Sequence, residues 1–201
     1  MNQKMIRNER KIQILQALHE CMLEKPFHQT SIKDIAKKAD VNHGLLHYYF
    51  ENKEDILLNY IDFTFDKYSA ISSERINRKF KETAGSIESF ADIFSWTLNE
   101  VSFNPELARI YTEIWAHAIY NRKIMKKLKG HYRLWQGRMR ALVENIVSDK
   151  KKAERISLTV LAIAEGLSLF SIFFNRSQLC TDIDCHKMLQ SLVPEDDLKF
   201  E

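Results

Sequence analysis

Residues 30–58 read TSIKDIAKKADVNHGLLHYYFENKEDILL, and this stretch decides how the whole chain is interpreted. Ser31 and Asp34 have the spacing of a capping box, which predicts that a short helix begins here. Asn42 follows an interruption of the apolar pattern and is suited to N-cap a further helix over residues 43–50. The stretch therefore predicts two short helices joined by a tight turn.

The rest of the chain carries helix-period apolar patterns, with only 5 Gly and 3 Pro in 201 residues. This pattern predicts an all-α protein of about nine helices. The helices expected outside the turn region cover residues 7–23, 53–68, 87–103, 106–118, 122–147, 152–175 and 182–192. Gly130 and Gly137 predict a bend or a break in the longest of them. We expect the tail, residues 194–201, to be poorly ordered.

The polar cluster at residues 51–54 is the strongest internal boundary and predicts a head of residues 1–53 and a larger domain of residues 54–201. The head holds nine Lys and Arg against six Asp and Glu, so the whole net charge of +3 lies there. A basic head on a neutral body is typical of a protein that binds nucleic acid.

Several classes of protein are disfavoured. Three cysteines without a secretory segment favour a reduced, cytoplasmic setting. The most apolar stretch, residues 158–174, is shorter than the roughly 20 residues that a membrane span needs. The possible metal ligands Cys180, Asp182, Asp184, Cys185 and His186 match no common zinc spacing. Because no catalytic or nucleotide-binding motif is present either, we expect no enzyme activity, metal or cofactor.

The second helix of the turn would present imidazole and phenol groups, from His43, His47, Tyr48 and Tyr49, with several lysines nearby. A thin helix carrying such groups fits the DNA major groove, roughly 12 Å wide, where side chains reach base edges. Two other interpretations remain open at this point. The lysines could form a solvated face, and Tyr49 with Phe50 could close a small core.

The quoted stretch resembles the N-terminal signature of the TetR family of bacterial repressors, T-x-x-x-I-A-x-x-A-G-V-S-x-G-x-L-Y-x-Y-F-x-x-K-E-x-L. The resemblance covers about residues 6–60. The matching positions are Ile35, Ala36, Ala39, Val41, Gly44, Leu46, Tyr49, Phe50, Lys53 and Glu54. It implies a three-helix helix-turn-helix DNA-binding domain, followed by a larger helical domain that binds a ligand and forms a dimer.

Four residues depart from the family pattern: Asp40 stands for Gly, Asn42 for Ser, Leu45 for Thr or Ser, and His47 for Tyr. Asp and Asn tolerate left-handed backbone, and Asn also caps helices, so we expect the turn to survive. Leu45 and His47 occupy positions that face DNA in the family. They imply an unusual operator, since Leu45 can touch a thymine methyl but cannot hold a phosphate.

By resemblance, Thr30, Ser31 and Lys33 anchor phosphates, and His43, Leu45 and His47 read bases. Tyr48 or Tyr49, with Lys53, contacts the DNA backbone. The complete predicted DNA-binding set is Thr30, Ser31, Lys33, Asn42, His43, Gly44, Leu45, His47, Tyr48, Tyr49 and Lys53.

The larger domain is rich in aromatic residues, and the resemblance implies an interior pocket for a small apolar or aromatic inducer. The candidate ligand-binding residues are Phe63, Phe90, Phe94, Tyr111, Trp115, Trp135, Met139, Glu165 and Phe170. An aromatic stripe at helical spacing also fits a plain core. Glu165 in an apolar stretch fits ligand contact, the dimer seam, or pairing with an internal base. His117 also lies in an apolar stretch, and whether it contacts the ligand is open as well.

The last long helices, about residues 153–175 and 182–192, are apolar enough to predict a homodimer interface. The two recognition helices would then lie roughly 34–36 Å apart on a near-palindromic double-stranded DNA operator. A ligand that prefers another separation would release the DNA. A transcriptional activator of the same fold, or a helical module that binds a protein instead of DNA, is the alternative function.

Overall fold

The computed structural model describes residues 3–83, 86–174 and 184–193, and these ranges contain nine α-helices and no β-strand. The helices are α1 Gln3–Glu24, α2 Ile32–Lys38, α3 His43–Tyr49, α4 Lys53–Thr83, α5 Ile87–Thr97, α6 Pro105–Tyr120, α7 Arg122–Glu144, α8 Lys150–Phe170 and α9 Cys185–Leu192. A 3-10 turn, Phe27–Gln29, precedes α2, and a π-helical turn, Leu98–Ser102, follows α5. The predicted all-α fold with its N-terminal helix-turn-helix is confirmed.

The C-terminal ends of α4 and α8 lie several residues from their predicted positions. α4 continues to Thr83 instead of ending near Tyr68, since no Gly or Pro interrupts residues 69–83. α8 ends at Phe170 instead of continuing to residue 175. There the backbone N–H of Ser171 donates to the carbonyls of Leu167 and Ser168, and its hydroxyl donates to Ser168 at 2.7 Å. Local hydrogen bonds of this kind compete with continuation of a helix.

Two further predictions concern helix continuity. α7 runs unbroken through Gly130 and Gly137, and both glycines are solvent-exposed with open space around them. Of the predicted bend or break, the break is therefore wrong and the bend stays a prediction, because an exposed glycine weakens a helix without interrupting its hydrogen bonds. The predicted helix over 87–103 is α5 plus the π turn, which ends where Phe103 donates to Leu98 at 2.8 Å.

The chain divides into two compact units by its internal contacts. Unit 1 is Met1–Lys67 with Ile110–Leu128, and unit 2 is Tyr68–Arg109 with Lys129–Glu201. The predicted division into a DNA-binding head, residues 1–53, and a larger domain, residues 54–201, is a division by function and stays a prediction. No helix in the described part of the chain is long and apolar enough to cross a membrane. The tail 194–201, residues 182 and 183 of the last predicted helix, and Cys180 and Asp182 of the possible metal ligands lie outside the described residues.

The core of unit 1 gives α1–α4 a common apolar interior. Its fully buried residues include Ile14, Leu18, Ile35, Leu46, Ile56, Leu57, Tyr60 and Ile61. Ile35, Ala36, Leu46 and Phe50 are buried, while Val41 is half-buried. Two polar contacts fix α1: Gln13 donates to the Ala39 carbonyl at 2.7 Å, and His19 bonds the Tyr60 hydroxyl at 2.7 Å.

Candidate DNA-binding surface

The turn between α2 and α3 has the geometry of a Schellman motif. The N–H of Val41 donates to the Ala36 carbonyl at 3.0 Å, and that of Asp40 donates to the Lys37 carbonyl at 3.2 Å. Asp40 has φ 49°, a left-handed conformation in which glycine is usual. The expectation that Asp40 adopts left-handed backbone is confirmed. The turn ends α2 after two turns and directs the chain into α3.

The N-terminus of α2 is closed by the predicted capping box. The Ser31 hydroxyl accepts from the Asp34 N–H at 3.1 Å, and the Asp34 carboxylate accepts from the Ser31 N–H at 2.7 Å. Lys25 bonds the same carboxylate at 2.8 Å. Lys25 and the Ser31 donors hold the pKa of Asp34 well below its usual range. The start of α2 is therefore held by an ionised carboxylate at working pH.

The N-terminus of α3 is closed by Asn42, as predicted. Its side-chain oxygen accepts from the Leu45 N–H at 2.8 Å. Gly44 lies directly beside this cap, since a Cβ added there would approach Asn42 Oδ1 to 3.3 Å. A glycine keeps the cap uncrowded and leaves backbone accessible at the first turn of α3, the part of a recognition helix that reaches base edges.

α3 buries one side and exposes the other. Leu46 is 1% exposed, whereas His43, His47 and Tyr48 are exposed, with Tyr48 at 67%. The two histidine rings, one helical turn apart, pack edge to face with centroids 4.9 Å apart. Leu45 and Tyr49 are half-buried. The structure therefore brings most of the predicted base-reading groups together on one accessible face.

Thr30 and Lys53, two of the predicted DNA-binding residues, have hydrogen-bond partners inside unit 1. Thr30 is 1% exposed, and its hydroxyl donates to the Pro26 carbonyl at 3.2 Å. The Lys53 ammonium donates to the carbonyls of Phe27 at 2.9 Å and Thr30 at 2.8 Å, and lies 4.5 Å from the Phe27 ring centroid. Burial lowers the pKa of Lys53. These two side chains brace the connection before α2, and their contact with DNA stays a prediction.

The remaining lysines near the surface are not equivalent. Lys33 and Lys37 are exposed on α2. Lys38 bonds Glu24 at 2.5 Å, and this partner raises the Lys38 pKa. An ammonium with an internal partner is less available to a phosphate than a solvated one. Lys33 and Lys37 are thus the better placed cations of α2.

The sequence reasoning missed Arg7. Its guanidinium lies 5.6 Å from the ring centroid of Tyr48, so a cation of α1 stands next to the exposed aromatic ring of α3. Residues 1–12 hold four of the nine basic residues of the head, a signal visible in the sequence. Arg7 extends the cationic surface around α3.

The predicted ligand-binding residues fall into both units. Phe63, Tyr111 and Trp115 belong to unit 1 and are half-buried, and the Tyr111 hydroxyl donates to Thr64 at 2.8 Å. The other six belong to unit 2. Within it, Phe90, Phe94 and Met139 are part of one buried cluster, and Trp135 packs against that cluster.

Phe170 and Glu165 are the two members of the unit 2 set that lie on α8. Phe170 is 51% exposed at the C-terminal end of α8, where its ring packs edge-on against Phe174, and its part in a ligand site stays a prediction. Burial raises the pKa of Glu165 to about 7, opposed by a hydrogen bond from Tyr132. The Glu165 carboxyl therefore titrates near neutral pH. His117 lies in unit 1, with its Nε2 3.9 Å from Glu113 Oε1.

The chain matches known regulators in sequence. The sequence profile of the bacterial regulatory proteins of the tetR family matches residues 14–60. The fatty acid metabolism regulator protein of Bacillus subtilis (strain 168) is 31% identical over 144 residues, or 70% of each chain. The HTH-type transcriptional regulator BetI of Escherichia coli O139:H28 is 25% identical over 168 residues, or 80% of each chain.

Solved structures show the same fold. A TetR transcription regulator from Haloarcula marismortui has a TM-score of 0.77 at 16% identity, covering 96% of this chain and 100% of that one. The transcriptional regulator FadR from Bacillus subtilis, in complex with stearoyl-CoA, has a TM-score of 0.66 at 19% identity, covering 90% and 94%. With its capped helix-turn-helix and these relatives, the chain belongs to the TetR family and is a ligand-responsive, DNA-binding transcriptional regulator.

Proposed function

We propose that this regulator is a homodimeric repressor that holds a near-palindromic operator through α3 and is released by a small apolar ligand. The observation that carries the DNA-binding part is α3 itself: a helix capped by Asn42, buried at Leu46, and exposing His43, His47 and Tyr48. Nothing in the core of unit 1 requires these exposed groups, whereas a major groove would accept them. A protein that acts on the bacterial chromosome works in the cytoplasm.

The proposed contact set follows from exposure. Lys33 and Lys37 neutralise phosphates together with Ser31, which precedes them on α2, and Arg7 adds a cation next to Tyr48. His43, Leu45 and His47 read base edges. Asn42 and Gly44 let the backbone at the start of α3 approach the DNA, and Tyr48 with Tyr49 contacts the sugar-phosphate chain.

The homodimer is supported by apolar side chains that remain exposed on one protomer. Along α8 and the turn after it, Leu158 is 55% exposed and Phe173 is 72% exposed. Ala162 and Gly166 lie between them, and small residues let two helices approach closely. An apolar surface of this kind is typical of a subunit interface. We infer that α8 pairs with its partner copy, together with α9.

The ligand class is inferred from unit 2 and from one relative. The buried cluster around Phe90, Phe94 and Met139 offers aromatic and thioether contacts that suit an acyl chain or an aromatic ring. The relative at 31% identity is a fatty acid metabolism regulator, and a FadR of the same fold was solved with stearoyl-CoA. We therefore infer a ligand with a long acyl chain.

The test is binding of the purified protein to DNA from upstream of its own gene, measured by gel shift against random DNA of equal length. The double variant His43→Ala, His47→Ala should lose at least about tenfold in selective affinity, as expected when base contacts are removed. His28→Ala is the matched control, since His28 is exposed but lies in the 3-10 turn. Each variant is checked for folding by circular dichroism.

Stearoyl-CoA added to the preformed complex should release the DNA and, in a reporter strain, relieve repression. Equal binding of parent and double variant to the selected DNA would contradict the role of α3. A reporter whose expression falls when the gene is deleted would show an activator instead.

A further inference from the structure

Arg75 has an unsatisfied hydrogen-bond donor inside unit 2. Its Nε atom is buried and has no hydrogen-bond partner among the described residues. The guanidinium lies 5.2 Å from the ring centroid of Trp96 on α5. Arg75 and Trp96 thus form a cationic platform between the second half of α4 and α5, both within unit 2.

This arrangement is unfavourable by itself. A buried hydrogen-bond donor without an acceptor destabilises the fold. Stacking on Trp96 gives a partial cation–π contact but supplies no acceptor for the N–H. Buried polar groups in native proteins nearly always have a partner, so the missing acceptor is expected to come from another molecule.

The surroundings of the platform combine one polar face with an apolar wall. On α4, Tyr68, Ser72 and Arg75 follow each other at four- and three-residue spacing, which places them on one helix face. Ile76, the next residue, packs against the buried cluster that contains Phe90 and Phe94. An apolar wall with a few converging polar groups is the usual composition of a small-molecule site.

The charged groups of unit 2 indicate which kind of ligand group suits Arg75. Burial raises the pKa of Glu165 to about 7, and this carboxyl has a hydrogen bond with Tyr132. Arg138 donates a hydrogen bond to the Ser69 hydroxyl, in the part of α4 that belongs to unit 2. Arg75 instead contacts the Trp96 ring, and its Nε–H has no acceptor among the described residues. A planar guanidinium can bind a carboxylate or a phosphate through two parallel hydrogen bonds.

We propose that Arg75, stacked on Trp96, binds the anionic group of an amphiphilic ligand whose apolar chain packs against the Phe90–Phe94 side of the cluster. This assignment rests on the proposed function, since it concerns the ligand of the same regulator. It adds that the ligand carries a negative charge and names the residue that recognises it. A carboxylate and a coenzyme A phosphate share this chemistry.

The experiment measures binding of three probes of one chain length, hexadecanoate, hexadecanoyl-CoA and 1-hexadecanol, by isothermal titration calorimetry on the full-length protein. Arg75→Gln removes the charge, and Arg78→Gln is the matched control because Arg78 is exposed one turn further along α4. Arg75→Gln should weaken the anionic probes about ten- to hundredfold and leave 1-hexadecanol unchanged. Arg78→Gln should bind all three as the parent does.

The two anionic probes separate the two sources of charge. Loss confined to hexadecanoate assigns Arg75 to the carboxylate, and loss confined to hexadecanoyl-CoA assigns it to the phosphates. Tryptophan fluorescence supplies a second readout, because an anion placed on the guanidinium changes the environment of Trp96. Trp96→Phe should abolish that fluorescence change while retaining most of the affinity.

A stability measurement keeps the test independent of the ligand. Without ligand, Arg75→Met should unfold at a temperature equal to or above that of the parent, since it removes a buried N–H donor that has no acceptor among the described residues. A fall in melting temperature in Arg75→Met, to well below that of the Arg78→Gln control, would show that Arg75 is structural and overturn the proposal.

Equal affinity of parent and Arg75→Gln for the anionic probes would overturn the proposal too, as would binding of 1-hexadecanol alone or of none of the probes. The proposed function fails on a different result, the absence of selective operator binding, so the two failures are distinguishable.

Discussion

The carboxylate of Glu113 on α6 accepts a hydrogen bond from the backbone N–H of Phe27, 86 residues earlier in the chain. The same carboxylate acts electrostatically on Lys53, whose ammonium holds the Phe27 carbonyl. The ring of His117, one turn beyond Glu113, packs edge-on against the Phe27 ring at 5.3 Å. Within unit 1, α6 is therefore joined to the turn that leads into α2.

Glu113→Ala should lower the free energy of unfolding by about 1–3 kcal/mol, because it leaves a partly buried N–H without an acceptor. Urea denaturation followed by circular dichroism measures the change. Glu106→Ala on the exposed start of α6 is the control and should stay within about 0.5 kcal/mol of the parent. If both variants lost the same amount, the Phe27 contact would have no special weight.

The stability of the protein should fall between pH 4.5 and 7 through Glu165. Its pKa is about 7 in the folded protein and 4.5 in the unfolded chain, so the folded state binds the extra proton across this window. The contribution is complete below pH 4.5 and is lost as pH rises through 7, by about 1–3 kcal/mol. Urea melts at fixed protein concentration should show this fall in the parent and lose most of it in Glu165→Gln.

Tyr132→Phe tests in which direction the Tyr132 hydrogen bond shifts the pKa of Glu165. Because the Tyr132 hydrogen bond lowers the Glu165 pKa, its removal should move the pH window upward. An unchanged or lower window in Tyr132→Phe would contradict this assignment.

Asp40→Gly should stabilise the protein by about 0.5–1 kcal/mol, because glycine adopts φ 49° without the steric cost that a Cβ adds. Asp40→Ala is the opposing control and should destabilise, since alanine lacks the short polar side chain that helps Asp adopt this conformation. Thermal unfolding of the three proteins gives the order. A parent more stable than Asp40→Gly would indicate that the Asp40 side chain has a stabilising contact of its own.

Lys33→Gln should reduce the salt dependence of operator binding. If Lys33 neutralises one phosphate, the slope of log affinity against log salt concentration becomes shallower by about 0.9. Lys38→Gln should change the slope less, since Lys38 is paired with Glu24 on α1. Gel shifts at four salt concentrations suffice, and equal effects of the two substitutions would mean that the ion pair opens on DNA.

The DNA-binding head was predictable from sequence because its determinants act over three or four residues. The Ser31–Asp34 capping box and the Asn42 cap are formed as their spacing indicates. The left-handed conformation of Asp40 follows from the tight turn between two apolar patterns. Helix ends without such local signals could not be predicted as well: α4 is about four turns longer than its apolar pattern indicated.

The sequence by itself determined the all-α class, the helix-turn-helix and the accessible face of α3, since periodicity and caps are local properties of the chain. Only the tertiary structure decided which side chains are available. Lys53 reads as a surface cation, yet its ammonium is held by carbonyls 23 and 26 residues away. Arg75 likewise reads as one more basic residue of a solvated helix until α5 brings Trp96 beneath it. Burial and pairing depend on residues distant in sequence, and they are set when the helices pack.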